Sequence, residues 1–275
     1  MKKFATLLLT GATFALLAIS AQAADIIDPP VVITPEPVTP VYEAAGGWYI
    51  RGDIDYHQIK LRDTIFAVSG GTSTFATAAL SNSWSLGGGI GYNVSKNFRV
   101  DLTADYWLKS NFRGSTTGTC GTPPVACNST DTSTLGALVV LANAYADLGT
   151  YKGITPYVGA GVGVAHINWS DLANDDGTAV TIHGGQRSMR GAVALMAGAS
   201  YCINDKLELD AGYRFTRIGG GAMFGFANNA GPGYDTGFNV HEARAGLRYS
   251  FGGSSNRCAP AEEVVQYHEQ PAVYK

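Results

Sequence analysis

Residues 98–109 read Phe98-Arg-Val-Asp-Leu-Thr-Ala-Asp-Tyr-Trp-Leu-Lys109. Phe98, Val100, Leu102, Tyr106 and Leu108 alternate with Arg99, Asp101, Asp105 and Lys109, a period of two. Neighbouring side chains of an extended strand point to opposite faces, so the pattern predicts a β-strand with one apolar and one charged face. Working outward, the same period recurs across residues 47–251 and predicts seven more strands. At 48–57, Trp48, Ile50, Ile54 and Tyr56 oppose Tyr49, Arg51, Asp53 and Asp55. At 83–93, Trp84, Leu86, Ile90 and Tyr92 oppose serine and glycine. Segment 135–148 alternates least, while 155–168 sets Val158, Val162 and Val164 against Gly159, Gly161 and Gly163. At 188–202, Val193, Leu195 and Tyr201 share one side. At 207–217, Leu207, Leu209, Tyr213 and Phe215 oppose Glu208, Asp210 and Arg214. At 240–251, Leu247, Tyr249 and Phe251 oppose Glu242, Arg244 and Arg248.

The connections alternate in length. Long ones cover residues 58–82, 110–134, 169–187 and 218–239, and short ones cover 94–97, 149–153 and 204–206. Short periplasmic turns and longer outer loops are the habit of membrane barrels, and an even strand number returns both ends to the periplasm. The expected fold is therefore all-β: an eight-stranded antiparallel up-and-down transmembrane barrel. A soluble β-sandwich has no reason to alternate its connections in this way. Ten strands would follow if residues 64–80 formed an extra hairpin.

Charge placement decides which face is inside. The polar face carries Arg51, Arg99, Lys109, Arg190, Arg214, Arg244 and Arg248 with Asp53, Asp55, Asp101, Asp105, Glu208, Asp210 and Glu242. Such a balanced, arginine-dominated set suits enclosed bidentate pairing better than a solvated surface, where lysine is common. On the apolar face, aromatics gather near the strand ends: Trp48, Tyr92, Phe98, Tyr201, Tyr249 and Phe251 at the turn side, Tyr56, Trp84, Tyr106 and Phe215 at the loop side. Rings at both edges of an apolar band match the girdles of membrane barrels. The expectation is an ionic network in the lumen and lipid outside, with Gly87, Gly89, Gly91, Gly159, Gly161 and Gly163 leaving room for long side chains to cross a narrow interior. A lipocalin-like binder would reverse the faces.

Composition narrows the classes further. Of 275 residues 35 are glycine, 45% are hydrophobic and 15% charged. Ordinary soluble domains carry about a quarter charged residues and roughly 7% glycine. Disorder needs lower hydrophobicity and higher net charge. A nucleic-acid binder needs a basic excess, whereas 19 basic and 22 acidic residues give −3 without a basic run. The mature region lacks a stretch of ~20 apolar residues, which excludes a helical membrane protein. Residues 1–23 read as a secretory signal, with Lys2 and Lys3 at the start, an apolar stretch over 7–19 and Ala21-Gln22-Ala23 at the cleavage site. Residues 24–46 follow as a Pro-rich periplasmic linker, and 252–275 as a periplasmic tail.

Gly47-Trp-Tyr-Ile-Arg-Gly-Asp53, Asn143-Ala-Tyr-Ala-Asp-Leu-Gly149, Thr155-Pro-Tyr-Val-Gly-Ala-Gly-Val-Gly163 and Ala245-Gly-Leu-Arg-Tyr-Ser-Phe251 resemble the small outer-membrane surface-antigen barrels of alphaproteobacteria, a porin-like, opacity-type family with the OmpA-like transmembrane fold. The resemblance spans about residues 24–251. It implies a structural or surface role in the Gram-negative envelope, contact with outer-membrane lipid and the assembly machinery, haem binding or adhesion in some relatives, and no catalytic residues. One departure is the extension beyond the terminal aromatic: 24 residues follow Phe251.

The remaining candidates are sparse. Cys120 and Cys127, in the second long loop, and Cys202 with Cys258 are disulfide candidates outside the reducing cytoplasm. His57, His166, His183, His241 and His268 match no metal motif, so unliganded histidines are expected, with haem or metal capture by a loop residue such as His183 as the alternative. There is no Gly-x-Ser-x-Gly elbow, and no cofactor, metal site or enzymatic activity is expected. The expected function is a monomeric structural barrel with a plugged lumen. The alternatives are a small-solute porin and a haem- or host-ligand-binding surface protein.

Overall fold

A computed structural model describes residues 46–120, 122–251 and Cys258. The expected signal, most of the linker, and the tail apart from Cys258 lie outside the described residues, as does His268. Eight long strands form the frame: β1 (Gly47–Leu61), β2 (Ser83–Asn93), β3 (Phe98–Ser115), β4 (Thr130–Asp147), β5 (Ile154–Trp169), β6 (Arg187–Cys202), β7 (Leu207–Phe224) and β8 (Ala230–Phe251). Each pairs antiparallel with the next, and β8 pairs back onto β1 from Trp48 opposite Phe251 to Leu61 opposite Phe238. The sheet is thus a closed eight-stranded barrel. Closure leaves no free edge, so every strand finds ladder partners on both sides, as a sheet must in hydrocarbon.

The faces sort as the charges require. Along β1, Tyr49, Arg51, Asp53, Asp55 and His57 are buried, while Trp48, Ile50, Ile54 and Tyr56 are exposed. The other aromatics of the expected girdles point outward too; Phe215 is half-buried because its ring lies 5.3 Å from that of His241. The barrel is therefore polar inside and apolar outside near its turns, the reverse of a soluble protein.

Close approach explains several inward glycines. The Tyr49 ring lies over Gly91, the Asp105 carboxylate over Gly87, and the Asn143 amide over Gly161, where a Cβ would collide with each. Small residues on β2 and β5 thus make room for larger ones on β1, β3 and β4.

Three expectations need correction. Lys109 is not in the lumen: it is exposed. A β-bulge lies between Trp107 and Ser110, where Trp107 opposes Ala137 and Ser110 opposes Leu135. One extra residue reverses the parity, so Ser110 and Phe112 point inward while Lys109, Asn111 and Arg113 point out. Second, the strands rise further than their alternation suggested, to Leu61, Ser115, Trp169 and Phe224, which shortens all four long connections. Third, residues 64–80 do form strands, but they add none to the ring. Thr64–Val68 pairs with β8 and Thr77–Leu80 with β3, so both continue the wall above β1 and β2.

The loop-side end is built up by two more hairpins. Thr117–Cys120 pairs with Val125–Asn128, tied by the Cys120–Cys127 disulfide. Leu172–Asp175 pairs with Val180–His183 and with the start of β4. Cys202 is bonded to Cys258 at the turn side.

Candidate functional site

The barrel interior holds the densest polar chemistry among the described residues, and it is built in two storeys. The turn-side storey is ionic. Arg51, on β1, donates from Nε and Nη2 to the two oxygens of Asp53, at 2.9 and 2.7 Å, and from Nη1 to Asp101, at 3.2 Å. Arg214, on β7, grips both oxygens of Glu242 and reaches Asp105 at 2.7 Å. Arg244, on β8, donates to Asp55 at 2.9 Å and lies 3.3 Å from Asp53 and 3.4 Å from Asp105. Arg248 meets Glu208 at 2.8 Å and Asp210 at 3.5 Å. Asp210 in turn lies 3.8 Å from Arg51, so shared carboxylates join four arginines into one network.

Position within the strands dictates this assembly. β1, β3, β7 and β8 alternate their charges inward, and the closed ring turns four one-sided strands toward a common axis. Bidentate pairs with Asp53 and Glu242 satisfy donors of Arg51 and Arg214 away from water, whereas Nε and Nη1 of Arg248 have no hydrogen-bond partner among the described residues. Arg99 sits lower: it donates from Nε to Asp147 at 3.2 Å, and its guanidinium lies 3.9 Å from the Tyr145 ring centroid and 4.7 Å from that of Tyr157. Tyr49 donates its hydroxyl to Asp101, and Tyr157 donates to Asp210.

The loop-side storey is apolar. Ile59, Trp107, Phe112, Leu135, Val139, Leu141, Ile167, Trp169, Ile218, Phe238 and Val240 are buried there in one cluster. Phe75 packs edge-on against Phe112, with centroids 5.6 Å apart, and Phe112 likewise against Trp169. His57 marks the boundary, its ring 4.7 Å from that of Trp107. Arg190 lies away from the main network, in this upper storey. It pairs with Asp235 and donates to Ser188 at 2.8 Å and to the carbonyl of Ala222 at 3.0 Å.

The expected lumenal set thus comes together with two departures: Lys109 lies outside and Arg190 stands apart. The sequence reading missed Asp147 and Asp235 as partners. Asp147 lies one residue from a turn, and Asp235 fell in a stretch taken as loop. It also missed Tyr145 and Tyr157, aromatics whose inward placement only register shows, whereas Tyr49 stands inside with Arg51 as the alternation of β1 expects.

The loop histidine is enclosed. His183 is buried with its Nδ1 3.2 Å from the carbonyl of Gly225 and its ring against Phe224. It borders a cavity of about 120 Å³ lined also by Phe66, Phe75, Asn174 and Thr181. Small-molecule sites run roughly 300–1,000 Å³, so haem does not fit this space as it stands. His166 is exposed on the outer face, and His241 lies 2.6 Å from the Tyr213 hydroxyl. Among the described residues, no cluster of three or more His, Cys, Asp or Glu is arranged to hold a metal ion.

Comparison with known proteins shows the family of the chain. The family model for the outer membrane protein beta-barrel domain matches residues 11–251. An uncharacterized protein of Brucella abortus (strain 2308) is 34% identical over 269 residues, spanning 84% of this chain and 93% of the Brucella protein. The outer membrane protein PagN of Salmonella typhimurium is 27% identical over 195 residues, spanning 64% of this chain and 76% of PagN. Among solved structures, the outer membrane protein OprG from Pseudomonas aeruginosa aligns with a TM-score of 0.48 and 17% identity over 77% of this chain and 98% of OprG.

Proposed function

Since the chain belongs to the outer membrane protein β-barrel family, with its place in the Gram-negative outer membrane, we propose that it is a structural surface barrel whose lumen is closed to solutes. The outer apolar belt fixes its depth in the bilayer, the ionic storey rigidifies it, and the loop-side hairpins meet the surroundings. On this reading both chain ends are periplasmic and residues 1–23 are removed on export, so the intact mass of the mature chain starts at Ala24. Trp48, Tyr92, Phe98, Tyr201, Tyr249 and Phe251 form the inner aromatic girdle, and Tyr56, Trp84, Tyr106 and Phe215 the outer one. The chain acts as a monomer, and its lumenal carboxylates serve structure because arginines lie against them.

One observation carries this reading. A solute entering from either end meets a filled layer: Arg214, Asp55, Asp105 and Glu242 are each fully buried in one storey, and Trp107, Phe112 and Trp169 are at most 2% exposed in the other. The porin alternative needs both to open together. Planar-bilayer recording separates the two. The closed barrel passes no steady current on insertion, and reproducible unitary steps would overturn the reading in favour of a porin.

A further inference from the structure

Charges on this barrel divide by face. Inside, Arg51, Arg99, Arg190, Arg214, Arg244 and Arg248 each meet a carboxylate. Outside, near the loop-side ends of β1 and β7, Lys60, Arg62 and Arg217 are exposed and none forms an ion pair among the described residues. The Arg62 guanidinium donates from Nη1 to the carbonyl of Thr236 at 3.2 Å, and its backbone N–H donates to the carbonyl of Gly237 at 3.0 Å. Register aligns these groups. Lys60 lies opposite Asn239, and Asn239 opposite Arg217, so a polar row crosses β1, β8 and β7 on the outer face. The same row continues as Val193 and Val162, opposite Arg217 and each other in turn.

Beside the row lies a groove of about 300 Å³ lined by Arg62, Arg217, Val162, Val193, Gly191 and Gly219. Its floor is bare. A Cβ at Gly191 would touch nothing within 4 Å, and one at Gly219 would first meet the Gly191 carbonyl oxygen at 3.6 Å. These glycines are therefore not forced by crowding, unlike Gly87 or Gly161 inside, and their effect is to hollow the apolar surface.

Arginine on a lipid face is destabilising at mid-bilayer and tolerated near the headgroups, so two unpaired guanidiniums place this groove at the headgroup boundary. Guanidinium forks match phosphate oxygens bidentately, and the bare hollow at Gly191 and Gly219, level with Arg62 and on the loop side of Arg217, has room for the sugar that carries the phosphate. We propose that the groove binds a phosphorylated, multiply acylated lipid with the chemistry of lipid A. Arg62 and Arg217 clamp a phosphate, Lys60 adds charge from the adjoining row, and the sugar headgroup rests in the hollow over Gly191 and Gly219, on the loop side of Arg217, with the acyl chains running toward the turns past Val162 and Val193. The proposal goes beyond the closed-barrel function and rests on the same outward lipid-facing surface.

The test uses the full-length protein extracted folded from membranes into detergent, with lipid adducts read by native mass spectrometry. The lipids are bisphosphorylated lipid A, its dephosphorylated counterpart and phosphatidylglycerol. Bisphosphorylated lipid A is expected to bind best. Its affinity should fall roughly tenfold or more in Arg62→Gln/Arg217→Gln, and fall also in Gly191→Leu, which fills the floor from a Cβ position that meets nothing within 4 Å. Arg113→Gln, on exposed β3 away from the groove, should bind as the unsubstituted protein does. Equal binding of dephosphorylated lipid A, equal binding of phosphatidylglycerol, or undiminished binding by the double variant would each overturn the proposal. Heat-modifiable gel migration confirms that each variant is a folded barrel. Its loss in the unsubstituted protein would sink the barrel reading itself rather than the groove.

Discussion

Arg214 shows what a single residue does here. Its guanidinium is fully buried and faces Glu242, Asp105 and Asp55, the last at 3.5 Å. Removing the cation leaves three carboxylates without their shared partner in a space water does not reach. Breaking a buried pair in this way typically costs ~3–5 kcal/mol, and here several carboxylates share the loss. Arg214→Ala should therefore lower stability by at least about 3 kcal/mol, read as a lower urea midpoint for the barrel refolded into lipid vesicles. Arg214→Lys should restore only part, because an ammonium cannot grip both oxygens of Glu242 while reaching Asp105. An unchanged midpoint for Arg214→Ala would mean that the ionic storey does not hold the barrel together. Most of this network was legible from alternation, because a charge at every second residue has one face to occupy. Lys109 was not: the bulge beside it changes parity without a glycine or proline to mark it. Tyr145 was hidden for a different reason, since an aromatic in a strand that barely alternates reads equally well as girdle or core.

At the scale of elements, β4 explains the least regular part of the sequence. Leu135, Ala137, Val139 and Leu141 face the apolar storey while Leu138, Val140 and Ala142 face outward, so both sides are greasy and the period of two disappears. The upper storey was invisible in the sequence for that reason. Beyond the apolar belt, the start of β4 carries Asp131, which joins it to Leu172–Asp175. Burial pushes the Asp131 carboxyl above the usual carboxylate range, against the opposing pull of hydrogen bonds from Ser129 and Asn174. A carboxyl raised in the folded state keeps its proton where the unfolded chain has lost it. Stability thus increases as pH falls through the raised value toward the unfolded one near ~3.9, and is lost as pH rises again. Hydrogen exchange, corrected for intrinsic rates, should show residues 172–175 better protected as pH is lowered toward about 4, with Asp131→Asn flattening the dependence. Protection that declines on acidification would contradict this assignment.

For the whole molecule, the polarity of the faces follows from alternation that is strongest on four strands, where charges oppose apolar residues, and is carried by serine and glycine on β2 and by glycine on β5, and closure turns that set inward. The exported start, the linker and the tail rest on the sequence alone. What the alternation could not convey is that the interior is layered, ionic toward the turns and aromatic toward the loops. The most direct measurement is the environment of spin labels placed singly at Leu102 on β3 and Leu195 on β6, with Thr178 in a loop as reference, in vesicles. Both leucines are exposed on the outer face and remote from the strand ends. If that face meets acyl chains, labels at 102 and 195 relax with dissolved oxygen and are shielded from a water-soluble nickel chelate, while the label at 178 responds to the chelate. Labels at 102 and 195 reached by the chelate as freely as that at 178 would show the apolar face in water.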